Sequence, residues 1–297
     1  MLKSSMLKAA DGTLLRAWSN GGTGVPVVIS NGLGTPPTAW PTVIAAGNDF
    51  HVVTWSHRGL GGSGRPSDSN AVRVEDHVND LRCVMDAEGM DRGLVVGWSI
   101  GVGVAFRFAE LHPERVAGIL GVAGVPGGSL KGMFGSLGLP TRLREPAGKL
   151  SARLLPMVGP GLSVLAAGLP RADHPFSLTG LEAVTREVRH AHSVIAVLRA
   201  FAEHDWDWFT KLALAAGEQR PMDVSTVTCP VTLLAGRHDA VTSSRDMRAV
   251  AAAIPDARLR VLPAGTHFVP LQYPDLMLDE LRLLAARTGL HPVPDSG

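Results

Sequence analysis

The sequence predicts an α/β fold, a mainly parallel sheet covered by helices on both faces, with a helical insertion near its middle. Three observations carry that prediction. Short apolar runs recur along the chain: Val25–Ser30, His51–Trp55, Gly93–Val96, Val116–Val122, Val231–Ala235 and Arg258–Leu262. Continuous apolar runs of this length fit strands buried on both faces. Helical patterns separate them, which is the rhythm of βαβ units. The stretch from Val125 to Val224 breaks the rhythm and shows no clean β-run.

The helices can be placed from periodicity. Val74–Met90 carries Glu75, Asp76, Asn79, Arg82 and Asp86 on one side and Val74, Val78, Leu81, Val84 and Met85 on the other. Ile100–Leu111 opens with small apolar residues, as a helix packed on a sheet does. Leu276–Ala286 is amphipathic and closes the domain. Asp11-Gly12 predicts a hairpin turn. The division is therefore a core of residues 1–124 and 225–297, with a helical cap over 125–224. The cap opens on Pro126-Gly127-Gly128, stays rich in Gly, Pro and Leu to Pro170, and becomes helical from Leu178 to Phe209. Its apolar stretch Leu154–Leu169 contains Pro156, Gly159 and Pro160, and fits a substrate-facing lid rather than a membrane contact.

Composition bounds the function. Of 297 residues, 45% are hydrophobic and 19% charged, enough for a substantial core. The formal net charge is +1, with no clustered basic face, so nucleic acid is not an expected partner. No run of about 18 apolar residues predicts a membrane-spanning helix. The N-terminal residues lack the apolar core and cleavage site of a secretory leader, and a cytoplasmic protein is expected. Cys83 and Cys229 form no C-x-x-C pair or Cys/His ligand pattern, so they read as two buried thiols in a reducing compartment, and no metal site is expected.

Gly97-Trp98-Ser99-Ile100-Gly101 matches G-x-S-x-G. An apolar strand feeds into the motif and a helix leaves it, which is the context that gives the pattern meaning. The tight turn strains the serine backbone and sets the hydroxyl near a helix N-terminus, where developing negative charge is favoured. A serine hydroxyl needs a base. Of the 11 histidines, His77 falls on the polar side of a helix, His112 precedes a proline, and His190 and His192 lie in the cap. His267 instead occupies the short loop Ala264–Phe268, after the last β-run. Asp239, in Gly236–Ala240 after the preceding β-run, is the candidate orienting carboxylate. His238 beside it is expected to face elsewhere, and Asp256 and Asp275 read as turn and helix-start residues. The order Ser99, Asp239, His267 is that of α/β hydrolases and differs from the chymotrypsin and subtilisin orders.

The oxyanion formed on carbonyl attack needs hydrogen-bond donors. The backbone N–H of Ile100 is one candidate, and that of Leu33, in Asn31-Gly32-Leu33-Gly34, is the second. Asn31, Gly32 and Trp98 flank these positions and are the candidate substrate contacts. Gly59–Gly64 formally matches the dinucleotide fingerprint, but Arg65-Pro66 follows where a helix should already run, so it reads as a glycine-rich loop.

Together with His57-Arg58-Gly59-Leu60-Gly61-Gly62-Ser63, these motifs resemble the α/β-hydrolase superfamily, in its esterase, haloperoxidase-like and C–C hydrolase branch. The resemblance covers most of the chain outside the cap. It implies a Ser–His–Asp triad, an oxyanion hole and no cofactor. The family usually has His-Gly where this chain has Asn31-Gly32, and often Asp where it has Ser56. A serine nucleophile separates the chain from haloalkane dehalogenases and epoxide hydrolases. The expected activity is hydrolysis of a carboxylic ester, a small and lipophilic substrate, through an acyl-enzyme. Carbon–carbon bond hydrolysis, cofactor-free perhydrolysis and a ligand-binding receptor on the same scaffold are the alternatives, and homo-oligomerisation is left open.

Overall fold

The computed structural model describes residues 2–167 and 191–290. Eight strands form one sheet: β1 (Lys3–Lys8), β2 (Leu14–Ser19), β3 (Val25–Ser30), β4 (Phe50–Trp55), β5 (Gly93–Trp98), β6 (Val116–Val122), β7 (Val231–Gly236) and β8 (Ala257–Leu262). Their spatial order is β1-β2-β4-β3-β5-β6-β7-β8. β1 and β2 form the predicted hairpin, and β2 meets β4 antiparallel; every later pairing is parallel. The apolar runs match these strands with boundary shifts of a residue or two. The largest shift is at β5, which continues through Gly97-Trp98 to the edge of the serine turn.

Both sheet faces are covered. Helices α1 (Val74–Ala87) and α2 (Ile100–Leu111) bury Val78, Leu81, Met85, Phe106 and Phe108 against one face. On the other, Trp40 and Val43 join Met277, Leu281 and Leu284 of the C-terminal helix. Helix α1 starts where the Arg73 N–H donates to Asp76 Oδ2 at 2.8 Å, a side-chain cap on an otherwise open backbone end. It stops at Glu88-Gly89, with Gly89 at φ +65°.

His77 does not lie on a polar face. It is 3% exposed and meets the His57 ring edge-to-face at 5.0 Å. The buried arc of α1 also takes in Asp80, 0% exposed, which receives a bidentate pair from Arg58. The same guanidinium reaches Asp11 at the β1–β2 turn. One arginine thus ties the hairpin turn, the 57–64 loop and α1 together. Neither cysteine is fully buried: Cys83 and Cys229 are half-buried free thiols. Burial still pushes the Cys229 thiol up to about 11, which suppresses the reactive thiolate.

Between β6 and β7 lie α3 (Ser129–Gly132), α4 (Thr141–Ala167), α5 (Ala191–Ala202) and α6 (Trp206–Gly217). The Gly/Pro-rich stretch, whose sequence places helix only from Leu178 onward, is helical well before it: α4 runs through Pro146, Pro156 and Pro160. Each proline removes one backbone donor, yet tertiary contacts hold the helix: Trp206 packs where a Cβ on Gly159 would stand, and its Nε1–H donates to Ser163 Oγ. Residues 168–190, including His190 and the start of the predicted Leu178–Phe209 helix, lie outside the described residues. The insertion docks on the 57–64 loop. The Trp208 Nε1–H donates to the Arg58 carbonyl at 2.8 Å, Arg65 pairs with Asp205, and Asp205 caps α6. The formal dinucleotide fingerprint is thus a closed loop beneath the insertion, pinned by Gly59 N–H to the Gly64 carbonyl. After β7 the described residues also form α7 (Ser244–Ala253), the short α8 (Val269–Gln272) and α9 (Pro274–Thr288).

Among the described residues, no helix is long and apolar enough to cross a membrane.

Candidate active site

Ser99 sits between β5 and α2 with φ +56° and ψ −119°, a conformation that costs an L-residue strain. The flanking glycines explain why the turn can exist. A Cβ on Gly97 would stand 2.5 Å from the Gly101 carbonyl oxygen, and one on Gly101 would stand 2.0 Å from that of Ser30. Both are backbone contacts that cannot yield. The turn is also held from the neighbouring strand by Ser99 N–H donating to the Val122 carbonyl at 2.9 Å.

His267 and Asp239 arrive from the C-terminal ends of the sheet. Asp239 follows β7 and is fully buried. Its Oδ1 accepts the backbone N–H groups of Val241 and Thr242, each at 2.8 Å. His267 follows β8. Its Nδ1 lies 2.9 Å from Asp239 Oδ2 and 3.1 Å from Oδ1, and its Nε2 lies 2.9 Å from Ser99 Oγ. A carboxylate only accepts, so Nδ1 carries the proton and Nε2 is free to accept from the serine hydroxyl. This arrangement can deprotonate an attacking hydroxyl and stabilise the imidazolium that results. His238 is exposed, as expected, and its backbone N–H bonds the Gly265 carbonyl.

Ser99, His267, Gly32, Leu33 and Ile100 line a cavity of about 360 Å³. Ile100 is the first residue of α2, so its N–H has no intrahelical partner. Leu33 lies on the loop that folds over from β3. One of the three candidate substrate contacts holds a different position from the one expected. Asn31 does not line the cavity. It is 1% exposed, and its amide is consumed below the loop: Oδ1 accepts from Trp40 Nε1 at 2.8 Å and Nδ2 donates to Thr54 Oγ1 at 2.7 Å. It is a strut for the loop. Trp98 borders the cavity but is 1% exposed; its Nε1–H donates to the His267 carbonyl at 2.9 Å, and its ring packs beneath Gly32. It spaces the histidine loop from the Leu33 loop. Gly32 does line the cavity.

Sequence reasoning missed the far wall. Met133, Leu155, Phe201 and Phe209 reach the cavity from four helical or turn segments of the insertion. It also missed Thr35, whose hydroxyl and N–H both donate to the Gly32 carbonyl, at 2.8 and 3.1 Å. Only the short spacing from Gly32 could have signalled this, as a turn. Among the described residues the cavity lining holds no Asp, Glu, Lys or Arg, and no group of three or more His, Cys, Asp or Glu side chains is arranged to hold a metal ion.

Comparisons with known proteins agree with this architecture. A family model described as the alpha/beta hydrolase fold matches residues 25–154. Epoxide hydrolase B of Mycobacterium tuberculosis is 37% identical over 116 residues, 39% of this chain; the chain spans 31% of that relative's length. A Caulobacter sp. protein designated a carbamate hydrolase, RutD, is 26% identical over 253 residues, covering 84% of this chain and 86% of that one. A thermophilic esterase from Thermogutta terrifontis superposes with a TM-score of 0.71 at 21% identity, covering 96% of this chain and 99% of that chain. The strand order, the serine turn and these matches agree on one architecture: the chain has the α/β-hydrolase fold.

Proposed function

We propose that this protein hydrolyses a carboxylic ester with a lipophilic acyl or alcohol part, through an acyl-enzyme on Ser99. The observation that carries the reading is the continuous relay from Asp239 through His267 to the Ser99 hydroxyl, at the foot of an apolar cavity. Ser99 Oγ attacks the carbonyl carbon as its proton passes to His267 Nε2. The N–H groups of Leu33 and Ile100 hold the oxyanion. His267 returns the proton to the leaving alcohol, and water then releases the acid by the same route. An uncharged lining favours neutral substrates, since a buried charge without a partner is costly. That favours an ester over the acidic products of aromatic ring cleavage, whose carboxylate would want a cation. The epoxide hydrolase similarity covers only part of either chain, and the nucleophile position here holds a serine.

Two measurements test the reading. A fluorophosphonate probe followed by mass spectrometry is expected to label Ser99, with labelling lost in His267→Ala. A p-nitrophenyl ester panel is expected to give turnover that Ser99→Ala abolishes. No turnover at any chain length, or turnover indifferent to Ser99→Ala, refutes ester hydrolysis. Tight ligand binding with negligible turnover would identify a receptor instead.

A further inference from the structure

The Leu33 loop is held from above by the insertion. His204, on the turn between α5 and α6, places its Nε2 2.7 Å from the Gly34 carbonyl oxygen. A carbonyl only accepts, so Nε2 carries the proton and donates. Burial lowers the affinity of this imidazole for a second proton. The ring stacks on Phe209 (centroids 5.7 Å apart, planes 20° apart) and meets Phe201 edge-on at 5.8 Å. Both phenylalanines line the cavity. The contact is close by design of the backbone: Gly34 has φ +70°, and a Cβ there would stand 2.3 Å from His204 Nε2.

What the hydrogen bond reaches is the significant point. The Gly34 carbonyl belongs to the same peptide unit as the Thr35 N–H. That N–H donates to the Gly32 carbonyl at 3.1 Å, and the Thr35 hydroxyl donates to the same oxygen at 2.8 Å. The Gly32 carbonyl in turn shares its peptide unit with the Leu33 N–H. The bonds thus run head to tail, from His204 through the Gly34–Thr35 peptide to the Gly32–Leu33 peptide. Hydrogen bonds in series polarise one another, by perhaps 10–30% per bond. They also fix the orientation of each peptide plane, so the direction of the last N–H is set by the first donor.

The geometry points to His204 as a positioning residue for the oxyanion hole, one that makes the Leu33 N–H a good donor only while the insertion is docked. This rests on the proposed ester hydrolysis and adds its link to the insertion. His204 touches no reacting atom. Its effect belongs to the transition state, where the oxyanion exists, and not to ground-state binding.

The decisive comparison is between two substitutions. His204→Phe keeps an aromatic ring for Phe209 and removes the donor. His204→Gln puts an amide N–H near the old Nε2 position. For a p-nitrophenyl ester, His204→Phe is expected to lower kcat about tenfold, less than the 10²–10³ lost with a direct oxyanion donor. KM should stay within twofold. The inhibition constant of a trifluoromethyl ketone, whose hemiketal oxygen occupies the hole, should weaken by the same factor as kcat/KM. His204→Gln should recover most of both losses, with the melting temperature of each variant near wild type. If His204→Phe does not fold, His204→Asn, too short to reach Gly34, should show the same fall. Unchanged kcat in the donor-free variant, no rescue by Gln, or a loss confined to KM overturns the inference. The wild type separates the two readings: Ser99 labelling and ester turnover with an unaffected His204→Phe sinks only the role of His204, whereas no turnover sinks the ester reading beneath it.

Discussion

Asp239→Asn should abolish the proposed ester turnover without disturbing the fold, and the structure says why. Asp239 Oδ1 accepts two backbone N–H groups, from Val241 and Thr242, at 2.8 Å each. In the variant those donors select the amide oxygen for that position. The amide nitrogen is then forced to the place of Oδ2, 2.9 Å from His267 Nδ1. An N–H donor facing Nδ1 makes Nδ1 the acceptor, so the imidazole proton moves to Nε2. Nε2–H then points at Ser99 Oγ and cannot take its proton. The ring stays in place with the wrong tautomer. The equivalent substitution in a serine protease triad costs about 10⁴ in kcat, which at 1.36 kcal/mol per decade is about 5 kcal/mol of transition-state stabilisation. Steady-state turnover of a p-nitrophenyl ester measures it, with the melting curve as control. The His267 ring nitrogen chemical shifts, by ¹⁵N NMR, report the tautomer directly. A variant keeping more than a tenth of wild-type kcat, or an Nδ1–H tautomer in the variant, refutes the reasoning.

Ser99→Gly should abolish turnover yet raise stability by about 1 kcal/mol, seen as a melting temperature about 2 °C higher, because glycine relieves the strain at φ +56°. Arg58→Met should cost about 3–5 kcal/mol in urea unfolding, because it leaves the Asp80 carboxylate fully buried without its partner; adding Asp80→Leu should recover most of the loss. Burial holds His57 well below its ordinary value of 6.5, with His77 and then His204 adding to the effect. The folded state therefore binds fewer protons than the unfolded state below pH 6.5. Stability should be full above that pH and fall beneath it, by up to about 1.4 kcal/mol per pH unit from this residue, and His57→Phe should flatten the slope in urea midpoints measured from pH 7.5 to 5.5.

Some of this was open to reading in the sequence because the constraints are local. Gly97 and Gly101 are demanded by atoms within the turn and one adjacent strand, so the motif announces its own geometry. The strands carry their own apolar runs. His77 and Asn31 were misjudged because their partners are remote. Nothing near His77 shows that His57, twenty positions earlier, will turn inward beneath it. Asn31 stands at a strand end beside the cavity, and only Trp40 and Thr54, brought in by packing, show that its amide points down. The length of α4 was hidden for a related reason: three prolines argue against a helix locally, and contacts from Trp206 outweigh them.

The division between what was readable and what was not has a physical basis. The reacting groups stand at the carboxyl ends of β5, β7 and β8. A parallel sheet brings those ends to one edge whatever else the chain does, so strand and loop identity suffice to assemble them. The cavity wall is different. Met133, Leu155, Phe201 and Phe209 meet only because helices with no common strand support pack against one another. The insertion nonetheless meets the reacting edge through hydrogen bonds, among them those of His204 with the Gly34 carbonyl, Ser136 Oγ–H with the Asp239 carbonyl and Phe134 N–H with the Ala240 carbonyl. On the positioning role proposed for His204, a substrate that disturbs the packing of Phe201 and Phe209 also disturbs the ring that sets the Leu33 N–H. Selectivity for the acyl group should then appear in kcat as well as in KM, because a poorly fitting chain weakens the oxyanion hole it depends on.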